Sequence, residues 1–178
     1  MKKLSMEDLD RLSVQDFENV EKMPVVVVLD NIRSQHNIGS VFRTSDAFRV
    51  EAIHLCGITA TPPHREIHKT ALGATESVKW EYYSETSVSV QRLIEAGYRI
   101  VVIEQTDASI SPGELKFDGQ QKTALVFGNE VKGVGQAIID MAETCVEIPQ
   151  MGTKHSLNVS VSAGIVIWSL FTRMHWQT

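Results

Sequence analysis

IPQMGTKHSLNVSVSAGIVIW, residues 148–168, is the stretch on which the reading of this chain turns. It opens as the end of a strand, because residues 144–148 (TCVEI) are mostly β-branched or apolar. Pro149 stops that strand and Gly152 lets the chain turn. Lys154, His155, Ser156 and Asn158 then crowd polar groups into a short loop, and an apolar run spaced by Ser160, Ser162 and Ser169 extends to Phe171. A strand end, a polar loop and a helix start therefore meet at one place. Such a junction is a ready ligand site. It is equally the start of a buried C-terminal helix capped by Ser156, and spacing alone leaves both readings open.

Working outward, strands and helices alternate at about 20 to 25 residues per unit. Strands are predicted over residues 25–29, 52–55, 78–83, 98–104, 123–127 and 144–148, and VVVVL at 25–29 has the unbroken β-branched character of a strand covered on both faces. Helices are predicted over 38–48, 65–72 (stopped by Gly73), 84–96 (begun by Ser84, stopped by Gly97), 135–142 and 159–171, with Asn37 as the cap of the first. The expected fold is α/β: a mostly parallel six-stranded sheet with helices on both faces. Residues 1–22 form an amphipathic helical extension marked by Leu9, Leu12, Phe17 and Val20, with Ser5 and Ser13 as caps; residues 23–178 form the one domain.

Composition narrows the class. With 43% hydrophobic and 22% charged residues, 178 residues make an ordinary globular core. Two cysteines without a CxxC give no disulfide framework, no leader-like apolar segment follows the basic N-terminus, and the longest apolar run is too short and serine-rich to span a bilayer; a cytoplasmic protein with no membrane partner is expected. The net charge of −5 speaks mildly against nucleic acid, yet residues 30–70 hold five Lys/Arg, four Asp/Glu and four of the six His. HREIH at 64–68 matches no metal motif, so no metal is expected.

Four polar loops follow predicted strands and so lie at the carboxyl edge of the sheet: DNIRSQHNIG, QTDAS, GNEVKG and PQMGTKHSLN. In FGNEVKG (127–133), two glycines allow close backbone approach and Glu130 is a fixed acceptor, although no phosphate-loop pattern is present; a turn with an incidental acid fits as well. In NIGSVFR (37–43), Gly39 leaves room beside the helix start. Arg43 is either a half-buried anion ligand or a surface arginine paired with Asp46 or Asp30.

Taken together and in order, NxGxxxR, FGNEVKG and IPxxGxxxSLNVSVSAGI resemble the three motifs of the TrmH (SpoU) family, the RNA ribose 2'-O-methyltransferases of the SPOUT superfamily. KTALGATESV at 69–78 resembles that family's connecting segment, and Gln150 departs from the methionine frequent after IP. The likeness covers about residues 25–171. It implies a C-terminal deep trefoil knot, a homodimer with the active site near the subunit contact, and S-adenosylmethionine bent in a pocket formed by Gly128, Ile148 and Leu157, with Glu104, Gln105 and Thr106 on the adenine side. It implies methyl transfer to a ribose 2'-hydroxyl of tRNA or rRNA. Arg43 then either takes the hydroxyl proton, awkward for a guanidinium with a pKa above ~12, or positions phosphate and hydroxyl while water takes it. Asn37, Glu130, Ser156 and Asn158 would align Arg43 and the ribose, and Arg33, His36 and Lys154 would contact RNA phosphates. A non-catalytic RNA-binding dimer of the same fold and a nucleotide-binding α/β enzyme without a knot are the competing expectations.

Overall fold

A computed structural model describes residues 1–5, 7–9 and 11–176. Met6 and Asp10 of the predicted extension, and the last two residues, lie outside the described residues. Six strands, β1 (Met23–Asp30), β2 (Val50–Cys56), β3 (Lys79–Tyr83), β4 (Arg99–Ile103), β5 (Thr123–Phe127) and β6 (Thr144–Val146), form one sheet in the order β3-β2-β1-β5-β4-β6. Every pairing is parallel. Val27 is flanked by Ile53 and Leu125, and Leu125 in turn by Val101, which puts the most apolar rungs at the centre. The sheet is thus wholly parallel, and β1 starts two residues earlier than expected. It runs through Pro24, and the β1–β2 register shifts between Met23 and Val26, as expected where one residue has no N–H to give the ladder.

Alternation along β1 feeds two cores. Val25, Val27 and Leu29 face the layer of α1 (Val14–Asn19), α2 (Gln35–Ala47), α3 (Arg65–Ala71), α4 (Ala74–Ser77) and α7 (Val159–Trp176). Val26 and Val28 face α5 (Thr86–Glu95) and α6 (Gln136–Ile139). In α7, Val159, Ala163, Val166, Ile167 and Leu170 are buried, one helical stripe that packs against α2. Gly39 of α2 allows the approach to α3: a Cβ there would lie 2.1 Å from Thr70 Oγ1 and 2.3 Å from the Ile67 carbonyl oxygen. Gly39 therefore serves helix packing, and the room it leaves is filled by α3.

Near the N-terminus the expected helices are a 3-10 turn at Glu7–Leu9 and the short α1, capped by Ser13, whose hydroxyl accepts from the Asp16 N–H at 3.1 Å. Phe17 enters the main core, so this helix packs on the body. Helix α5 begins at Thr86 with Glu85 at the cap position, one residue beyond the expected cap Ser84, α6 is shorter than expected, and α4 was not anticipated.

Candidate functional site: a cavity at the carboxyl ends of β4, β5 and β6

The cavity occupies 680 Å³, a size suited to a cofactor-sized ligand. Its floor is Ile103, Phe127 and Val146, the last residues of β4, β5 and β6, and its walls are residues 128–134 on one side and Glu147, Ile148, Gln150 and residues 155–158 on the other. It lies beside the β1/β5 boundary, where the strand order reverses, the usual ligand position in open parallel sheets.

Residues 128–134 form a tight turn. Asn129 and Gly133 exchange N–H···O bonds of 3.1 and 2.8 Å, and the Asn129 side-chain oxygen accepts from the N–H groups of Val131 and Lys132 at 2.9 and 3.1 Å. The Asn129 amide donates to the Asn31 carbonyl at 2.7 Å, tying the turn to the end of β1. Gly133 has φ +65°, and a Cβ on it would lie 2.2 Å from a Glu104 carboxylate oxygen, so both conformation and space call for glycine. At Gly128, a Cβ would lie 2.3 Å from the Gly133 carbonyl carbon. Glu104 accepts from the Gln105 and Val134 N–H groups, both at 2.9 Å.

From this turn Glu130 reaches across to the start of α2. Its carboxylate accepts from the Arg33 N–H at 3.1 Å, the Ser34 N–H at 3.1 Å and the Asn37 side-chain amide at 3.2 Å. A carboxylate at a helix N-terminus complements both the free amides and the helix dipole. Burial, the largest influence on Glu130, pushes its pKa up; the donors from Arg33, its own backbone, Ser34 and Asn37 together outweigh it and hold the carboxyl below the ordinary glutamate range. Asn37 passes the connection on, its side-chain oxygen accepting from the Asn158 amide at 3.1 Å. Asn158 caps α7, its oxygen accepting from the Ser160 N–H at 2.9 Å and hydroxyl at 2.7 Å. Glu130, Asn37 and Asn158 thus join the three motif segments in one hydrogen-bonded chain.

Two capping expectations change. Ser34, not Asn37, caps α2, because its hydroxyl accepts from the Asn37 N–H at 3.3 Å and leaves the Asn37 side chain free for Glu130 and Asn158. Asn158, not Ser156, caps α7, since the helix starts only at Val159 and Ser156 lies too far upstream to reach its first amides.

Of the residues the resemblance implied for a cofactor, Glu104, Gln105, Gly128, Ile148 and Leu157 line the cavity; Thr106 does not. Strand β4 ends at Ile103, and the chain bends so that the Thr106 carbonyl accepts from the Ser109 N–H and hydroxyl instead. Glu130, Ser156 and Asn158 also line the cavity, as does Gln150. Arg43 does not. The six-residue step from Asn37 carries it about 9 Å along α2 and about 120° away from the Asn37 face. It is exposed, and among the described residues it has no hydrogen-bond or ion-pair partner, neither Asp46 nor Asp30. His36 pairs with Glu66 at 3.0 Å, while the Arg33 and Lys154 side chains are exposed. His64 and His68 do not share a helix: His64 is the cap of α3, its Nδ1 accepting from the Glu66 N–H at 3.2 Å. Among the described residues, no three His, Cys, Asp or Glu side chains are grouped to hold a metal, and no helix is long and apolar enough to cross a membrane. The sequence reading overlooked Asn129, whose position two residues into a glycine-flanked turn is the signal of an Asx turn.

Sheet order and cavity place the protein in a class, doubly wound parallel α/β proteins with a ligand site at the switch of strand order. Within that class the chain belongs to the SpoU rRNA Methylase family, which matches residues 24–168. It is 33% identical over 148 residues to the tRNA (guanosine(18)-2'-O)-methyltransferase of Aquifex aeolicus, covering 81% of this chain and 67% of that protein. It is 33% identical over 156 residues to a 23S rRNA (guanosine-2'-O-)-methyltransferase of Neisseria meningitidis, covering 85% of this chain but only 59% of the other. The crystal structure of the A. aeolicus TrmH/SpoU tRNA modifying enzyme superposes with a TM-score of 0.79 at 25% identity, over 90% of this chain and 81% of that one. The match thus spans about three fifths to two thirds of the length of these sequence relatives.

Proposed function

We propose that this chain is an S-adenosylmethionine-dependent RNA methyltransferase that methylates a ribose 2'-hydroxyl of tRNA or rRNA as a cytoplasmic homodimer. One observation carries the reading: the family's three motifs meet at the cavity through the chain Glu130–Asn37–Asn158. The names of the two sequence relatives, both guanosine 2'-O-methyltransferases, support the same chemistry.

The cavity suits S-adenosylmethionine. Ile103, Phe127, Ile148 and Leu157 offer apolar walls. Among the described residues, the backbone N–H and C=O groups of Ile148 and Leu157 make no hydrogen bonds, which leaves them to read the edges of a purine. Gly128, Ile148 and Leu157 would hold the cofactor, with Glu104 and Gln105 beside them. When bound, the cofactor supplies a methyl group already activated on a sulfonium, so the protein's task is mostly positioning. Arg43 holds the ribose and its phosphate; Ser156 and Asn158 align the hydroxyl from the cavity rim. Arg33, His36 and Lys154 meet further phosphates.

Arg43 lies outside its own subunit's cavity, which supports a dimer that brings α2 of one copy to the cleft of the other. The surface for that contact is on α7, where Val161, Ile165 and Trp168, at helical spacing, are 48%, 37% and 44% exposed. The deep trefoil knot belongs to the same proposal, supported by the convergence of residues 104–105, 128–134, 147–148 and 155–159 on one cavity.

Single-turnover methyl transfer to unmodified RNA tests the reading. Arg43→Ala loses transfer while S-adenosylmethionine binding stays within twofold of the parent. Equal transfer by variant and parent removes Arg43 from the mechanism, and cofactor binding with no transfer by the parent on any tRNA or rRNA favours the non-catalytic dimer. Mapping the position left unmethylated in RNA from a deletion strain identifies the substrate.

A further inference from the structure

Residues 151–158 are eight consecutive exposed positions, yet the last four of them, with Gln150, line the cavity. The segment 149–157 has little to keep it there. Among the described residues, one hydrogen bond ties it to the rest of the protein: the Gln105 side-chain amide donates to the His155 carbonyl at 3.1 Å. Gln105 is itself held from behind, its N–H donating to Glu104, whose carboxylate also takes the Val134 N–H. The end of β4 therefore grips both walls at once, one residue for each.

We propose that Gln105 is a positioning residue that fastens segment 149–157 over the cavity through the His155 carbonyl and thereby sets the affinity of the site. The fastening stands on geometry alone; its consequence for S-adenosylmethionine rests on the function proposed above. Only an N–H donor of suitable reach is needed. Gln105→Met keeps the length and shape of the side chain and removes the donor, whereas Gln105→Lys keeps a donor on a slightly longer arm. One exposed hydrogen bond shifts a local opening equilibrium by roughly 3- to 10-fold.

The peptide bond after Lys154 lies beside the fastened carbonyl, so limited trypsin digestion of the full chain reads the opening directly. When opening is faster than cleavage, the nicking rate follows the open fraction. The initial rate at which mass spectrometry detects a new amino terminus at His155, which a cut at the lysine introduced by Gln105→Lys does not produce, is expected to be roughly 3- to 10-fold higher for Gln105→Met than for the parent and within about twofold of the parent for Gln105→Lys. Isothermal titration with S-adenosylmethionine is expected to show Kd raised several-fold for Gln105→Met and largely restored for Gln105→Lys. Parent-like nicking of Gln105→Met overturns the proposal, as does equal nicking of the Met and Lys variants. Faster nicking with unchanged Kd overturns the positioning role, and weaker binding with unchanged nicking makes Gln105 a direct cofactor contact instead. If the parent binds no S-adenosylmethionine, the proposed function fails while the nicking comparison still decides the fastening.

Discussion

Removing the Glu130 carboxylate tests the central hydrogen-bonded chain without any ligand. Glu130→Ala strips an acceptor from the Arg33 and Ser34 amides at the start of α2 and from the Asn37 side chain. The site is exposed, so water replaces part of what is lost. Treated as the loss of a charged helix cap, the cost is about 1–2 kcal/mol. For a chain of this size, that lowers Tm by roughly 3–7 °C. Glu130→Gln retains one acceptor but turns an amide donor toward backbone donors, and costs about 1 kcal/mol. The charge contribution has a defined pH dependence. Because the folded state holds the Glu130 carboxyl below the ordinary range, its stabilisation is complete above the unfolded pKa of about 4.3 and is lost as pH falls through the lower folded value. Thermal unfolding of parent and Glu130→Gln should therefore show a gap at neutral pH that closes as the pH falls below that value. A gap of constant size from neutral pH to about pH 3 would refute the reasoning, since a protonated glutamate differs little from glutamine.

Three further outcomes follow from the same geometry. Gly39→Ala forces a methyl group against the Ile67 carbonyl, which cannot swing aside as Thr70 can; thermal unfolding should show a loss of about 1–3 kcal/mol despite the better helix propensity of alanine. Gly133→Ala meets both a left-handed backbone and the Glu104 carboxylate, so isothermal titration should show S-adenosylmethionine binding weakened about tenfold or more, through about 1–2 kcal/mol of local strain; unchanged binding would separate this turn from the cavity's function. Burial pushes the Cys56 thiol up to about 11, so mass spectrometry after brief iodoacetamide treatment of the native protein at pH 8 should find Cys56 unlabelled and any adduct on the half-buried Cys145.

The sheet was legible because each strand carries its own local signal: β1 and β5 are apolar runs of strand length, and the glycines at 73 and 97 end helices where backbone conformation demands them. The four loops at the carboxyl edge, three of which line the cavity, were legible for a different reason, since a parallel sheet puts all strand ends on one edge. Exchanges between residues far apart in sequence were not. Ser34 and Asn37 are both good cap residues, and only the carboxylate of Glu130, some ninety positions later, decides that Asn37 is drawn outward. Residues 105–121 are mostly polar, yet Ile110 bridges to Val146 and Leu115 and Phe117 are buried, because the partners that cover them lie elsewhere in the chain. Arg43 stands apart from Asn37 for a geometric reason: a spacing of six returns a helix to neither the same face nor the same height.

That separation bears on how any mutagenesis of this site must be read. Glu130, Asn37 and Asn158 each make hydrogen bonds that start or join helices, so replacing any of them changes the cavity's frame as well as its chemistry. Loss of methyl transfer in those variants therefore cannot by itself assign a chemical role. Arg43 and Ser156 differ, because among the described residues neither side chain has a hydrogen-bond partner to lose. Arg43→Ala and Ser156→Ala should unfold within about 0.5 kcal/mol of the parent, as expected for substitutions that break no internal bond. Any large fall in single-turnover rate in these two variants then belongs to the transition state. If Arg43→Ala instead lowers Tm by as much as Glu130→Ala, Arg43 is part of the frame, and the proposed subunit-crossing arrangement gives way to an intramolecular one.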